Sequence, residues 1–189
     1  LVGGTARREK AAELFEQCRA LTPTIRLLEG KAVADLVPVL RPEWTAVGVL
    51  EPDCMSMDVA AIHDGYLRGF KSQGGKIVTD ADVFGATRNG DRWTLETRAG
   101  DITADVVVDA AGAWADEMAK LAGTAPIGLI PKRRTALIFD PGLGHIAGWP
   151  LVVDADEEFY FRPEAGTKVF ASPADATPSP PCDAQPEEL

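Results

Sequence analysis

The sequence predicts an α+β fold, in which an α/β part is joined to a mostly antiparallel sheet. A helical pattern over Asp58–Gln73 stops at Gly74-Gly75 and leads into an apolar run, which is half of a βαβ crossover. Two strand-like runs flank Asn89-Gly90-Asp91, a turn sequence typical of a hairpin. After Gly123 the strand patterns are short and closely spaced, as in an antiparallel sheet.

The first part of the chain is predicted to contain two helices and a strand. Apolar side chains recur at helical spacing over Thr5–Leu21, and Pro23 stops the pattern. The residues expected on the buried face of this helix are Ala11, Leu14, Cys18 and Leu21. A short helix over Gly30–Val37 is ended by Pro38, and the alternation over Thr45–Glu51 predicts a strand.

A second long helix is predicted over Asp58–Gln73, with Asp58 as its N-cap residue. Its buried stripe is expected to consist of Val59, Ile62, Tyr66, Leu67 and Phe70. Gly74-Gly75 ends this helix, and Lys76–Thr79 is expected to follow as a strand.

A three-stranded antiparallel meander is expected next, formed by Val83–Arg88, Arg92–Arg98 and the segment at Ile102. It leads into Asp105–Gly123, where three consecutive valines at Val106–Val108 predict a strand buried on both faces. Small residues and an amphipathic helix follow these valines. Such a strand, turn and helix either packs closely or brings its backbone against a ligand, and the pattern alone leaves both interpretations open.

Beyond Gly123 the sequence predicts four strands joined by short loops. They are Leu129–Phe139, Trp149–Val153, Phe159–Arg162 and Lys168–Ala171, with a turn at Pro163–Gly166. The end of the chain, residues 173–189, contains five prolines and several acidic residues. An extended connection or a disordered tail is expected there.

The composition excludes several classes of function. A formal net charge of −10 argues against nucleic acid as a partner, because phosphate contacts need clustered lysine and arginine. Three widely separated cysteines predict neither a disulfide framework nor a zinc site. No apolar run approaches the length of a membrane span. We therefore expect a cytoplasmic protein without an integral span, and peripheral attachment to a membrane stays open.

Neither histidine predicts a catalytic site. His63 falls inside the second long helix, where a packing or surface role is the simpler interpretation, and His145 lies in a glycine-rich loop. The sequence contains no cluster with metal-ligand spacing, no serine–histidine–aspartate pattern and no phosphate-binding glycine loop. No metal is expected, and no residue is assigned as catalytic.

Two polar features stand out from this background. In Lys132-Arg133-Arg134, strand alternation places the two arginines on opposite faces. One of them is expected to point into a cleft, where a guanidinium can hold a carboxylate through two parallel hydrogen bonds; a basic surface cluster is the alternative. In Phe159-Tyr160-Phe161-Arg162, the tyrosine and the arginine share a face that could line a neighbouring pocket.

With these motifs in order, the chain closely resembles the flavin-dependent amine and amino-acid oxidoreductases of the D-amino-acid oxidase superfamily. The segments that carry the likeness are RLLEGKAVADLVPVL, HDGYLRG, AAGAW, GLIPKRRTALIF, EFYFRPEAG and SPADATP. The likeness covers almost the whole chain, and the set of segments is far more specific than any one of them.

The resemblance implies a two-domain parent enzyme that binds FAD, of which this chain is the middle. The family's GxGxxG segment, which holds the FAD pyrophosphate, and its closing glycine-rich segment would lie outside the chain. Residues 1–57 would then be a helical segment and strand of the substrate domain, and 58–123 part of the FAD-binding domain. Residues 124–172 would form the antiparallel sheet of the substrate domain, and 173–189 a proline-rich connection.

The resemblance also implies roles for particular residues. The residues expected to meet FAD are Val83, at its adenine end, and Ala111, Gly112 and Trp114 in the AAGAW turn. Arg134 would clamp the carboxylate of the substrate, and Tyr160 would form a hydrogen bond with the substrate. Strand alternation alone does not choose between Arg133 and Arg134; the resemblance favours Arg134.

The implied activity is oxidation of a small D-amino acid by hydride transfer from its amine-bearing carbon to the flavin. Sarcosine-type and 2-hydroxy-acid substrates are alternatives, because a carboxylate clamp serves all three. A non-catalytic binding module that retains the scaffold is the alternative from another class. From this piece by itself we expect no turnover.

Overall fold

The structure is a computed structural model that describes residues 1–185. Positions 186–189, at the end of the predicted proline-rich connection, lie outside the described residues. The chain divides into two compact units. The first unit consists of Leu1–Ser56 with Arg133–Thr177, and the second of Met57–Lys132 with the chain after Thr177.

Four α-helices and twelve short strands make up the described chain. The helices are α1 (Arg8–Cys18), α2 (Lys31–Leu36), α3 (Val59–Ser72) and α4 (Ala115–Leu121). The strands are β1 (Val2–Gly3), β2 (Arg26–Glu29), β3 (Val47–Leu50), β4 (Val83–Asn89), β5 (Arg92–Thr97), β6 (Ile102–Ala104), β7 (Lys132–Arg133), β8 (Leu137–Phe139), β9 (Val152–Val153), β10 (Tyr160–Glu164), β11 (Lys168–Ser172) and β12 (Thr177–Pro178). All the named strand pairs with a described register are antiparallel. The mixed helical and antiparallel fold class predicted from the sequence is confirmed.

The first unit contains a sheet of order β1-β3-β2 against which α1 packs. Ala11 of α1 is buried in one cluster with Ile25, Val47 and Val49. The helix was expected to reach Leu21, but it ends at Cys18, whose carbonyl accepts the Leu21 N–H in a turn. Leu21 is 88% exposed, so its predicted place on the buried face is wrong.

The short helix α2 and the strand β3 confirm the sequence prediction and approach each other closely. A Cβ added at Gly48 would lie 3.1 Å from Cγ2 of Val33 and 3.4 Å from the Leu1 carbonyl oxygen. Alanine at position 48 would therefore force the Val33 side chain to shift by a few tenths of an ångström.

The second sheet of the first unit has the order β8-β11-β10-β9. The β10–β11 hairpin confirms the two strands predicted over Phe159–Arg162 and Lys168–Ala171, and Ala165 and Gly166 turn the chain with positive φ. One side of the sheet is covered by a buried cluster of Val2, Val33, Val37 and Val152, against which Phe159 and Phe161 pack.

The second unit contains α3, the meander β4-β5-β6, and α4. Both local signals that predicted these elements are confirmed. The Asp58 carboxylate caps α3 by accepting the Ala61 N–H at 2.8 Å, and the chain leaves this helix through Gly74 at φ +85°. Asn89 pairs with Arg92 across the turn at Gly90.

Two strands predicted for the second unit are absent from the described residues. Lys76–Thr79 and Val106–Val108 pair with no described strand, so the expected βαβ crossover does not form. Val106 and Val108 are 75% and 81% exposed, not buried on both faces. An apolar run becomes a strand only when neighbouring strands accept its hydrogen bonds, and neither run meets such a neighbour here.

The predicted buried stripe of α3 is also wrong. Four of its five residues are exposed and the fifth is half-buried: Val59, Ile62, Tyr66, Phe70 and Leu67. The helical spacing was recognised correctly, but no described element covers the apolar face.

Two predicted strands of the last region are shorter than expected. Leu129–Phe139 is interrupted at residues 134–136, where the Thr135 N–H donates to the Asp175 carboxylate, and its start is lost because the Leu129 N–H donates to the Asp116 carboxylate. Trp149–Val153 shrinks to β9, because Trp149 donates to Ile146 in a turn and the proline that follows has no N–H.

Candidate functional site

The predicted cofactor turn, Ala111–Trp114, is built from backbone and one aspartate. The Asp109 carboxylate accepts the Ala111 N–H at 3.0 Å, and the Trp114 N–H donates to the Ala111 carbonyl at 3.1 Å. Gly112 has φ +57°, a left-handed conformation that favours glycine. Residues 112–114 form one turn of 3₁₀ helix, which continues into α4.

The surface of this turn is open. A Cβ added at Gly112 would have no neighbour within 4 Å. The residues flanking the glycine carry only methyl groups, so a flat group could approach the backbone there without meeting a side chain. The open backbone of this turn fits one edge of a flavin, although it offers no cradle for a pyrophosphate, and contact with the cofactor stays a prediction.

The other predicted cofactor residue, Val83, begins β4 and is half-buried. It pairs with Thr97, and a register shift between Val83 and Gly85 bends the strand there. The helix α4, which follows the AAGAW turn, packs beside β4. All four predicted cofactor residues thus belong to the second unit.

Asp116 orders the chain that leaves α4, and sequence reasoning missed this residue. Its carboxylate accepts the N–H groups of Ile127, Gly128 and Leu129 at 2.9 to 3.0 Å. An acidic residue in the first turn of a helix was visible in the sequence, but its partners lie eleven to thirteen residues away and carry no local signal.

In the first unit, Arg134 is exposed and is held through its Nε alone. Nε donates to the main-chain carbonyl of Asp175 at 3.1 Å. The Asp175 carboxylate binds the next residue, because it accepts the Thr135 N–H at 2.7 Å and the Thr135 hydroxyl at 2.9 Å. Among the described residues, the two terminal nitrogens of Arg134 have no partner.

These contacts hold the pKa of the Asp175 carboxyl below its ordinary value of 3.8. The hydrogen bond from the Thr135 main chain is the largest cause, followed by the bond from the Thr135 hydroxyl, and partial desolvation opposes them. The positive charge of Arg134 contributes least. Sequence reasoning did not single out Asp175.

Tyr160 and Arg162 share one face of the second sheet, as strand alternation predicted. The Tyr160 ring stacks on Phe170 with centroids 6.2 Å apart, and the Arg162 guanidinium lies 5.2 Å from the centre of the same ring. Arg162 also forms an ion pair with Glu164 at 2.7 Å. Phe161 lies on the opposite face, which is covered by the buried cluster.

The strand register extends this face toward Arg134. Phe170 pairs with Arg162 on one side and with Ile138 on the other, so all three side chains share a face. Arg134 lies four residues before Ile138, outside β8, at the end of the sheet where β8 begins.

Arg134 and Tyr160 also lie at the same end of the sheet. Tyr160 begins β10 and pairs with Ser172, the last residue of β11. Asp175, three residues further on, binds Arg134 just before β8 begins. The structure thus brings the two predicted substrate residues to one end of one sheet in the first unit.

A fully buried aspartate supports the turn that leads into β10. The carboxylate of Asp154 accepts the N–H groups of Asp156 and Glu158, and its own N–H donates to the Phe159 carbonyl at 3.0 Å. This turn fixes where β10 begins and therefore where Tyr160 lies.

The histidine, cysteine and carboxylate side chains of the described residues form neither a candidate metal site nor a disulfide. They hold no group of three histidine, cysteine, aspartate or glutamate side chains that could bind a metal. The three cysteines are free thiols, and His63 is exposed on α3. Among the described helices, none combines the length and the apolar character needed to cross a bilayer.

Comparison with known proteins identifies the family to which this chain belongs. The sequence profile of a family described as FAD dependent oxidoreductase (DAO) matches residues 2–188. That match covers nearly the whole chain.

Solved structures with the same fold include enzymes named for different activities. L-proline dehydrogenase from P. horikoshii superposes with a TM-score of 0.79 at 18% identity, over 99% of this chain and 50% of its own. Glycine oxidase from Geobacillus kaustophilus has a TM-score of 0.70 at 17% identity, over 97% of this chain and 48% of its own.

A third structure is L-alpha-glycerophosphate oxidase from Mycoplasma pneumoniae with FAD bound. Its TM-score is 0.75 at 16% identity, over 90% of this chain and 47% of its own. The chain therefore spans about half the length of the solved structures that it matches.

Proposed function

The chain belongs to the DAO family of FAD-dependent oxidoreductases, and from this premise we propose that it is the central part of an enzyme that oxidises the C–N bond of a D-amino acid. The substrate would resemble D-arginine, because the motifs from RLLEGKAVADLVPVL to SPADATP most resemble bacterial D-arginine dehydrogenase. The second unit would belong to the FAD-binding domain and the first to the substrate domain.

The observation that carries the proposal is the placement of Arg134 and Tyr160. Arg134 precedes β8 and Tyr160 begins β10, at the same end of one sheet, and the Tyr160 ring stacks on Phe170. Arg134 is anchored through Nε, so its two terminal nitrogens are available as a planar fork for a carboxylate. Tyr160 would use its hydroxyl, at the polar tip of a stacked ring, to bind the substrate beside this fork.

On the cofactor side, this chain would supply contact surface and little binding energy. Ala111 and Gly112 would let the flavin approach the backbone, Trp114 would lie against it, and Val83 would meet its adenine end. FAD, when bound, accepts the hydride that leaves the amine-bearing carbon. The protein's own part would be to hold the substrate carboxylate so that this carbon faces the cofactor.

The test uses the parent enzyme, purified and examined for a flavin absorption spectrum. We expect a yellow protein that reduces a dye with D-arginine or another basic or apolar D-amino acid. The panel also contains N-methylglycine and 2-hydroxy acids, which separate the alternative substrates. A colourless protein that oxidises nothing in the panel would contradict the proposal.

Substitution of the clamp sharpens this test. Arg134→Ala should lower kcat/KM by about 100-fold, and Arg134→Lys should recover little, because an ammonium cannot form two parallel hydrogen bonds. Arg133→Ala is the matched control and should change kcat/KM by less than about threefold. An Arg133 effect as large as that of Arg134 would count against the choice of Arg134 as the clamp.

Two alternatives have specific support. The three solved structures are named for activity on L-proline, glycine and L-alpha-glycerophosphate, so the fold is not confined to D-amino acids, and a sarcosine-type or 2-hydroxy-acid substrate is the second candidate. A binding module without turnover is the third, and for the 189 residues by themselves we predict no activity. A cytoplasmic location remains a prediction of the sequence alone.

A further inference from the structure

The loop after β11 holds two consecutive residues of the arginine segment by three hydrogen bonds. Its Asp175 accepts the Thr135 N–H and the Thr135 hydroxyl with the carboxylate, and the Arg134 Nε with the main-chain carbonyl. The segment between β7 and β8 pairs with no strand in the described chain. These bonds therefore take the place of a strand ladder there.

The loop itself is fixed to the sheet. Ser172, the buried last residue of β11, accepts the Ala174 N–H with its hydroxyl at 3.1 Å. Ala174 then turns the chain with φ +52°, a conformation that non-glycine residues seldom adopt. This turn brings Asp175 back toward the start of β8.

The carboxylate of Asp175 and its main-chain carbonyl bind different residues, which leaves the Arg134 guanidinium without a carboxylate partner among the described residues. An aspartate carboxylate beside an arginine usually takes its guanidinium in a bidentate pair, which would occupy the fork. Here both carboxylate oxygens bind Thr135, and a neutral carbonyl takes Nε of Arg134. The guanidinium is oriented, and its terminal nitrogens keep their capacity for another carboxylate.

We propose that Asp175 is a positioning residue, which orients Arg134 for the carboxylate of the substrate and does so through Thr135 and its own main chain. This inference rests on the proposed role of Arg134. Asp175 itself touches no reacting atom.

The test measures KM and kcat of the parent enzyme with D-arginine, or with the D-amino acid of the panel that gives the highest kcat/KM. Asp175→Ala should raise KM by about tenfold and change kcat by less than about threefold, because a misoriented clamp weakens substrate binding. Asp175→Asn keeps one acceptor for Thr135 and should recover part of the loss. Thr135→Val, which removes the hydroxyl donor, should raise KM in the same direction.

A double-mutant cycle separates positioning from general damage. In an Arg134→Ala background, Asp175→Ala should change KM by less than about twofold, since there is no clamp left to orient. The matched control is Asp140→Ala, whose carboxylate likewise accepts one backbone N–H, that of Gly142, at the other end of β8. This control should leave KM unchanged.

A measurement that does not require turnover tests the loss of the bonds between Asp175 and Thr135 directly. Amide hydrogen exchange of the peptide that contains Thr135 should speed up by about tenfold in folded Asp175→Ala protein, with protection elsewhere unchanged. If Arg134→Ala raises KM but Asp175→Ala does not, the positioning role is wrong and the proposed function stands. If Arg134→Ala leaves KM unchanged, Arg134 does not bind the substrate carboxylate, and the positioning role of Asp175 is wrong as well.

Discussion

The two units of the chain differ sharply in how they treat their apolar residues. Every buried hydrophobic residue of the described chain lies in the first unit, and most of them form two clusters that join α1 and α2 to the sheets. In the second unit, Thr97 is the single buried residue among those described, while large apolar side chains of α3 and of Val106–Val108 are exposed. Both units carry apolar patterns of comparable strength, so a pattern alone does not make a core.

The second unit, unlike the first, has little buried apolar area to stabilise it. Its meander and helices are held by turns, caps and strand hydrogen bonds, which contribute little without burial of apolar area. The chain spans about half of the solved structures that it matches. We therefore expect the first unit to dominate the stability of the isolated 189-residue chain.

The largest effect should come from placing a charge in the core of the first unit. Val47 is 1% exposed, and Val47→Asp should lower the free energy of unfolding by about 4 kcal/mol, because it buries an unpaired carboxylate. Val108→Asp is the matched change in the second unit and should stay within about 0.5 kcal/mol. Urea unfolding of the 189-residue chain measures both. Equal losses would show that Val108 is buried in solution.

Glycine-to-alanine substitutions should change stability in opposite directions in the two units. Gly48→Ala should cost about 2 kcal/mol, since its Cβ would crowd Val33 and the Leu1 carbonyl. Gly65→Ala, inside α3 with no neighbour within 4 Å of the added Cβ, should gain up to about 1 kcal/mol of helix propensity. Thermal unfolding and helical circular dichroism check the two signs. A loss at Gly65 would indicate that α3 is covered.

The comparison also explains which parts of the fold the sequence could predict. Signals confined to a few residues were sufficient: the cap at Asp58, the turn at Gly90 and the β10–β11 turn at Gly166 are all confirmed. The strands expected at Lys76–Thr79 and Val106–Val108 were wrong, because a strand depends on neighbours distant in sequence.

In the candidate site, too, local signals predicted some features, while contacts between residues distant in sequence determined the others. Resemblance indicated Arg134 and Tyr160, and alternation along β10 correctly predicted that Tyr160 and Arg162 share a face. The end of the sheet at which Arg134 lies required the β8–β11 register, which no local pattern encodes. Asp175 was not foreseen because Thr135, the residue that its carboxylate binds, is 40 positions away.

The smallest expected effect is on acid stability, and it too should begin in the first unit. Both carboxyl groups whose pKa is held low among the described residues, Asp156 and Asp175, belong to that unit. For Asp156, partial desolvation raises the pKa, but hydrogen bonds and charges from Lys10 and Arg7 outweigh it and lower the pKa overall. For Asp175, the bonds from Thr135 lower the pKa.

A carboxyl group with a depressed folded pKa contributes stability above its unfolded pKa and loses it as pH falls through the folded value. Stability should therefore decline more steeply below the ordinary value of 3.8 in the wild-type chain than in Asp175→Asn, which carries no titrating group there. Urea midpoints between about pH 2 and pH 5 measure this difference. Hydrogen exchange at the acid end should show protection lost first around Thr135, and identical slopes for the two proteins would show that Asp175 is not bound to Thr135 in solution.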